Sequence, residues 1–276
     1  MKRQIKIIIF IVLLALTFLF FSIRSENNFQ ACFLDVGQGD AELFRTPSGQ
    51  NILVDGGADN SLLPMLGQCL PWWDRKIDYI FISHYHDDHY AGLVDLLEKY
   101  QVKNIITTPE KPKTALYSAW LLSLQQHGLV EQTAETGKKY DFGQGITLEI
   151  LKSNDVDSKN INDDSLVLKI SDGRIDYLLV GDLPSEQEQI LLQSGFNIDS
   201  EILKVGHHGS KYSSFPEFLA AVNPELCVIE VGTDNKFGHP HQEALDRLSK
   251  VDCQIKETKD LGTIRVFSNG DKWWVK

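Results

Sequence analysis

The sequence predicts one α/β domain behind a short apolar segment. Three observations carry this. Strand-like runs rich in Val, Ile and Phe alternate with runs whose apolar residues recur at helical spacing, from about residue 30 to residue 275. The alternation falls into two broadly similar β-then-α halves, with no low-complexity linker between them. Acidic and imidazole side chains collect where predicted strands end, which is where α/β sheets commonly build their sites.

At the amino end, Lys2, Arg3 and Lys6 precede or enter an uncharged apolar run, Ile7–Phe21. From Ile5 to Ile23 there are 19 residues, close to the roughly 20 that span a bilayer. A cleaved signal peptide usually has an apolar region of about 7–15 residues, and Ser22-Ile-Arg-Ser-Glu26 is a poor cleavage site. The expected organisation is a membrane anchor in residues 1–24 and a globular domain in residues 25–276. The basic amino end stays in the cytoplasm, so the domain lies outside the cell membrane as a single-pass protein. Secretion after signal cleavage is the alternative. Residues 1–24 hold four basic groups and no acidic ones, leaving the domain 23 Lys+Arg against 38 Asp+Glu, a net charge of −15. Bulk electrostatics will not hold such a domain on nucleic acid, although a metal site can recruit a phosphate locally.

Gln30–Val36 and Ala41–Arg45 read as strands joined by the tight turn Gly37-Gln-Gly-Asp40, and Asn51–Val54 returns into Asp55-Gly-Gly57. Asp40 and Asp55 therefore end strands beside glycines, where an aspartate either makes the turn or orients a metal ligand. Leu62–Leu70 reads as a helix, Ile77–Ser83 as a buried strand, 91–100 as a helix and Val102–Ile106 as a strand. Thr114–His127 is a helix stopped by Gly128, with His127 in the last turn, where a cation suits the helix dipole. The second half brings strands at Ile146–Leu151, Ser165–Ile170 and Ile175–Val180, the polar loop Ser153–Asp164, and Asp182 at a strand end. Ser185-x-x-Glu188 and Ser214-x-x-Glu217 have capping-box spacing and open helices reaching Gln193 and Ala221. Strands Glu201–Val205 and Leu226–Val231 lead to Gly206-His-His-Gly-Ser210 and Gly238-His-Pro-His241. A helix, Glu243–Leu248, and strands Cys253–Lys256, Gly262–Phe267 and Lys272–Val275 complete the chain. Cys32, Cys69, Cys227 and Cys253 form no C-x-x-C and read as buried free thiols.

The chemistry concentrates in His84-Tyr-His-Asp-Asp-His89, an H-x-H-x-D-H run between a buried strand and a helix. Neutral imidazoles suit zinc, manganese or iron, and a carboxylate adds charge. Alternating His84 and His86 can address one metal while Asp88 and His89, further round, address a second. A solvated His-rich turn is the plain alternative. Three His and two Asp in six residues, directly after a buried strand, weigh against it. Seven of the eight histidines lie at 84–89, 207–208 and 239–241, and Asp182 ends another strand. That set meets the ligand demand of a binuclear site, where a carboxylate bridges ions about 3.5–4 Å apart.

Leu34-Asp-Val-Gly-Gln-Gly-Asp-Ala41, Val54-Asp-Gly-Gly57, Ser83–His89 with Gly92, Asn162-x-x-Ser-Leu-Val-Leu168, Val180-Gly-Asp182, Leu203–Ser210 and Phe237-Gly-His-Pro240 carry a family likeness. Together they resemble the metallo-β-lactamase superfamily, and within it the hydrolase domain at the carboxyl end of ComEC competence proteins. The resemblance implies a four-layer αββα sandwich with two divalent ions, zinc or manganese, at one edge. Carried over by position, His84 and His86 bind the first ion and Asp88, His89 and His207 the second. His208 competes with His207, and Asp182 bridges. The superfamily's further first-site histidine has no counterpart here; Asn162 and Ser165 stand in its place, beside the orienting Asp40 and Asp55. Asp88 and Asp182 hold the attacking water, His239 gives a proton to the leaving oxygen, and His241 is structural. The implied activity is that of a phosphodiesterase or nuclease outside the cytoplasmic membrane, acting on DNA or another phosphodiester and linked to DNA uptake. A lactonase or esterase of the same fold is the rival, and a non-catalytic metal-binding module of an envelope complex is a third reading. One span cannot form the multi-helix channel that ComEC proteins carry.

Overall fold

Period-two alternation of large apolar residues sets the layers. In the computed structural model, which describes residues 28–153 and 160–276 with 4, 6, 9–14 and 17 before them, two sheets face each other. The first contains β1 (Phe29–Phe33), β2 (Glu42–Arg45), β3 (Asn51–Val54), β4 (Lys76–Ile82), β5 (Gln101–Thr107) and β6 (Glu131–Thr133). The second contains β7 (Lys139–Gly143), β8 (Ile146–Lys152), β9 (Val167–Asp172), β10 (Ile175–Leu179), β11 (Ile202–Lys204), β12 (Leu226–Ile229) and β13 (Gln254–Glu257). The chain then returns to the first sheet with β14 (Ile264–Ser268) and β15 (Trp273–Val275), where β14 pairs antiparallel with β1. Phe33, Phe44 and Phe81 from one sheet interdigitate with Leu148, Tyr177 and Val228 from the other.

The alternate residues face outward onto helices. Leu43, Leu53 and Ile80 pack under α1 (Leu62–Cys69), α2 (Asp87–Leu97) and α3 (Ala115–His127). Leu178, Leu203 and Cys227 pack under α4 (Ser185–Gln193), α5 (Pro216–Val222) and α6 (Gln242–Leu248). The layers are the expected αββα sandwich. A one-turn helix, α7 (Thr258–Leu261), follows β13.

Several expectations change. The edge strands β6 and β7 and the turn α7 have no counterpart in the sequence reading, because β6 is a polar Glu-Gln-Thr and β7 a Gly-ended edge segment. The helix expected over 91–100 begins at Asp87, so Asp88 and His89 sit on its first turn, not on a loop. Asp87 and Asp88 there face the positive helix end, which favours the earlier start. Neither capping box forms. Instead the buried Glu188 accepts from the backbone N–H groups of Ser214 at 2.5 Å and Phe215 at 2.9 Å, so α4 caps α5. Residues 154–159 of the polar loop lie outside the described residues.

The four cysteines are not free thiols: Cys32 bridges Cys69 and Cys227 bridges Cys253. Folding brings α1's last residue over β1, and β13 alongside β12, across separations of 37 and 26 residues that spacing cannot pair. Removing the second bridge by C227A/C253A is expected to cost about 3.5 kcal/mol, the loop-closure value for such a separation. A lowered stability in urea unfolding, with the slope rising as the unfolded chain loses its cross-link, is the measurement.

Among the described residues no helix is long and apolar enough to cross a membrane. The expected anchor, Ile5–Ile23, falls mostly outside those residues.

Candidate metal centre

Strand direction puts the site on one edge. β3 and β4 are parallel, as are β10, β11 and β12, so Asp55, His84, Asp182 and the His207-His208 pair all leave their strands on the same side. Close backbone approach holds the first half in place. Gly56 N–H donates to the His89 carbonyl at 2.6 Å and Asp40 N–H to the Asp88 carbonyl at 3.2 Å. A side chain at Gly92 would stand 2.2 Å from the Gly56 carbonyl oxygen, and one at Gly39 would stand 2.2 Å from that of Asp88. Only glycine fits either position.

Carboxylates then aim the rings. Asp55 accepts from Ser83 N–H at 2.7 Å and Ser83 Oγ at 2.6 Å, and its Oδ2 lies 2.8 Å from His89 Nδ1. His208 Nδ1 lies 2.9 Å from the Glu230 carbonyl and 3.2 Å from Asp40 Oδ1. Holding each Nδ1 leaves each Nε2 pointing inward. Both Nε2 atoms converge on Asp182 Oδ1, at 3.5 Å for His89 and 3.6 Å for His208. Asp88 closes that side, 3.9 Å from His89 Nε2 and 3.5 Å from His208 Nε2. The other Asp182 oxygen, Oδ2, faces His207 Nε2 at 3.5 Å and His84 Nε2 at 3.9 Å. His86, the N-cap residue of α2, has its Nδ1 3.1 Å from His84 Nε2.

His207 faces the Asp182 oxygen that His84 faces, and His208 the oxygen that His89 faces, so of the two competing rings His208 is the one beside Asp88 and His89. Both turn histidines have left-handed backbone, φ 50° and 53°, in the turn Gly206–Gly209, and that turn splays consecutive imidazoles toward the two oxygens of Asp182. Such backbone costs about 1–3 kcal/mol per residue and persists where the surroundings enforce it.

The residues fit a divalent metal centre. His89 Nε2, His208 Nε2 and Asp182 Oδ1 are buried and have no hydrogen-bond partner among the described residues. Donor atoms of His84, His89 and Asp182, and of Asp88, His89 and His208, lie within 4.8 Å of one another. Unpaired buried imidazole nitrogens and carboxylate oxygens at that spacing call for a shared cation. Charge says the same. Burial disfavours a charged His208 ring, yet Asp182 and Asp40 push it up to about 10. Burial likewise opposes His89, and Asp182, Asp40 and Asp55 hold it well above the usual range. The carboxylates around these two rings thus create a field that favours positive charge between them. His84, by contrast, is kept well below the usual range by burial and by His89.

The cluster opens onto a cavity of about 420 Å³, whose walls include Tyr85, His86, Asp88, His207, Phe237 and His239. The His239 ring centre is 5.5 Å from that of His207, and Asn235 clamps its backbone through 2.8 Å bonds to the N–H and carbonyl. Burial and then His208 and His207 push His239 down to about 4, so its ring is neutral at pH 7. Ser165 Oγ accepts from Asp182 N–H at 3.2 Å. Asn162 lies in the preceding turn, Ile161–Asp164, and its buried Oδ1 has no hydrogen-bond partner among the described residues. His241 accepts from Lys211 N–H at 3.2 Å, and His127 lies apart from the cluster beside Glu98.

The description "Metallo-beta-lactamase superfamily" matches residues 34–229, more than half of the chain and the whole of this strand-end arrangement up to β12. The chain belongs to the metallo-β-lactamase superfamily. It is similar to "Recombination protein 2" of Haemophilus influenzae, 30% identical over 93% of this chain and 31% of that protein. It is also similar to "ComE operon protein 3" of Bacillus subtilis, 27% identical over 91% of this chain and 34% of that protein. The chain thus spans about a third of the length of these curated relatives. Among solved structures, a long-form RNase Z from yeast superposes with a TM-score of 0.55 at 12% identity, over 89% of this chain and 42% of that one, which is a likeness of fold.

In this metallo-β-lactamase domain the buried Lys204, Glu42 and Glu230 are the site residues that sequence reasoning missed. They lie on inner strand faces that otherwise carry Ile202, Phe44 and Val228. Lys204 Nζ contacts Asp40 Oδ2 and donates to the Gly181 carbonyl at 3.2 Å, and Glu230 accepts from Ala41 N–H at 3.2 Å. A lysine inside the apolar run Ile-Leu-Lys-Val was the available signal.

Proposed function

We propose that the chain is a binuclear metal-dependent phosphodiesterase or nuclease working outside the cytoplasmic membrane. The observation that carries this is Asp182, a buried carboxylate whose two oxygens face two separate groups of imidazoles. In that assignment His84, His86 and His207 hold one ion, Asp88, His89 and His208 the other, and Asp182 both. When bound, such ions polarise the scissile group and activate water. The chain's own residues do the rest. Asp88 and Asp182 accept the hydrogen bonds that orient the attacking water. His239 forms a wall of the cavity, and a phosphate arriving beside its neutral ring would raise its proton affinity and so prepare it to protonate the leaving oxygen. Asp40 and Asp55 fix the rings of His208 and His89, while Ser165 and Asn162 support the Asp182 turn.

A phosphodiester is favoured because the cavity rim is rich in imidazoles and the curated relatives include one named a recombination protein. DNA, brought in during uptake or processing, is the substrate this suggests. Two disulfides suit the oxidising side of the membrane. Residues 9–14, helical with exposed apolar side chains, suit anchoring through residues 5–23. The −15 charge favours a second reading, a carbonyl-directed hydrolase that takes small substrates. The test is the purified chain with Mn or Zn against bis-p-nitrophenyl phosphate, single-stranded and plasmid DNA, and a lactone panel. Cleavage of phosphodiesters is expected. Turnover of lactones alone would establish the second reading, and no turnover with either metal would favour a binding module.

A further inference from the structure

The end of the sandwich opposite the metal centre carries an exposed aromatic turn. Trp72 and Trp73 are 80% and 65% exposed, with ring centres 5.5 Å apart, on the turn between α1 and β4. Two large indoles left in water on an acidic domain are an anomaly, since Trp is normally buried against something. The turn is fixed firmly. Cys69, three residues before Trp72, is bridged to Cys32 of β1. Asp74, directly after Trp73, accepts from Asn51 Nδ2 at 3.0 Å and pairs with Arg45 at 3.8 Å. Arg45 is in register with Gln30, so the turn stands beside the start of β1. Phe29 opens β1 within six residues of Ile23, where the apolar amino-terminal segment stops.

The charge around the turn differs from that of the domain as a whole. Arg75, Lys76, Lys99 and Lys103 gather at this end. Asp78 is matched by Lys76 at 2.5 Å and Lys103 at 3.0 Å, and Asp74 by Arg45. Indoles flanked by basic side chains, at the point where an apolar segment joins the domain, have the composition of a bilayer interface.

We infer that the Trp72–Trp73 turn docks on the phospholipid surface and holds the domain with its metal centre facing away from the bilayer. This rests on the proposed anchoring through residues 5–23. It also narrows the substrate. Seven residues of β4 separate the two ends, roughly 23 Å at strand rise, so a lipid headgroup of the same membrane does not reach the centre. A soluble or polymeric phosphodiester does.

The experiment reconstitutes the full chain into phosphatidylcholine–phosphatidylglycerol vesicles with plain or brominated acyl chains and reads tryptophan emission. Bromine is expected to quench the wild type, and W72F/W73F, altered only at exposed positions, is expected to lose that quenching while still sedimenting with vesicles. A chain that sediments but shows no bromine quenching, or a variant quenched as strongly as the wild type, overturns the docking and leaves the turn as a protein contact. A chain that stays in the supernatant overturns the anchor and the docking together.

Discussion

Asp182→Ala is expected to abolish bound metal and hydrolysis together, because this one side chain faces both groups of imidazoles, with the Nε2 atoms of His84, His89, His207 and His208 each 3.5–3.9 Å from its oxygens. His239→Ala should behave differently. Its ring stands on the cavity wall, 5.5 Å from the His207 ring and outside the two clusters, so metal should be retained while turnover falls roughly 10²-fold. Elemental analysis of the two variants beside the wild type, with rates on bis-p-nitrophenyl phosphate, separates the roles. Metal depleted from the His239→Ala protein would make it a ligand. Metal retained by Asp182→Ala at wild-type stoichiometry would remove the bridging assignment.

The contrast between these residues shows what a sequence can disclose. His84, His86, Asp88 and His89 were legible because they crowd into six residues after a buried strand, and local chemistry needs no fold to be noticed. Asp40, Asp55 and Asp182 were legible as strand ends. The order of the two turn histidines was not, because it depends on left-handed backbone at both positions, φ 50° and 53°, which no spacing encodes. The disulfides, the return of β14 to β1, and the capping of α5 by Glu188 from 26 residues away are all contacts through space. Each strand or helix involved read correctly by itself. What the pattern lacked was who lies beside whom.

Lys204→Met is expected to destabilise the fold by about 3–5 kcal/mol, the cost of breaking a buried ion pair and leaving its anion unmatched. Lys204 is fully buried, and its ammonium contacts Asp40, with Glu42 and Glu230 close by. Burial opposes the charge, but Asp40, Asp182 and the two glutamates hold Lys204 above the usual lysine range. A raised lysine contributes stability that is complete below its unfolded value and is lost only as pH rises through the folded one, so the effect is present in full at pH 7. The glutamates show what the cation offsets. Burial and then Asp40 push Glu42 up to about 8, and burial and Glu42 hold Glu230 well above the carboxylate range. Neutralising the partner should therefore restore stability. Lys204→Met combined with Asp40→Asn is expected to recover most of the loss in urea unfolding. It should not recover metal affinity, because Asp40 Oδ1 sits 3.2 Å from His208 Nδ1 and helps aim that ring, a role worth about 10–100-fold in affinity. If Lys204→Met unfolds within about 1 kcal/mol of the wild type, the pair is not compensating Asp40. If the double variant binds metal normally, Asp40 does not orient His208.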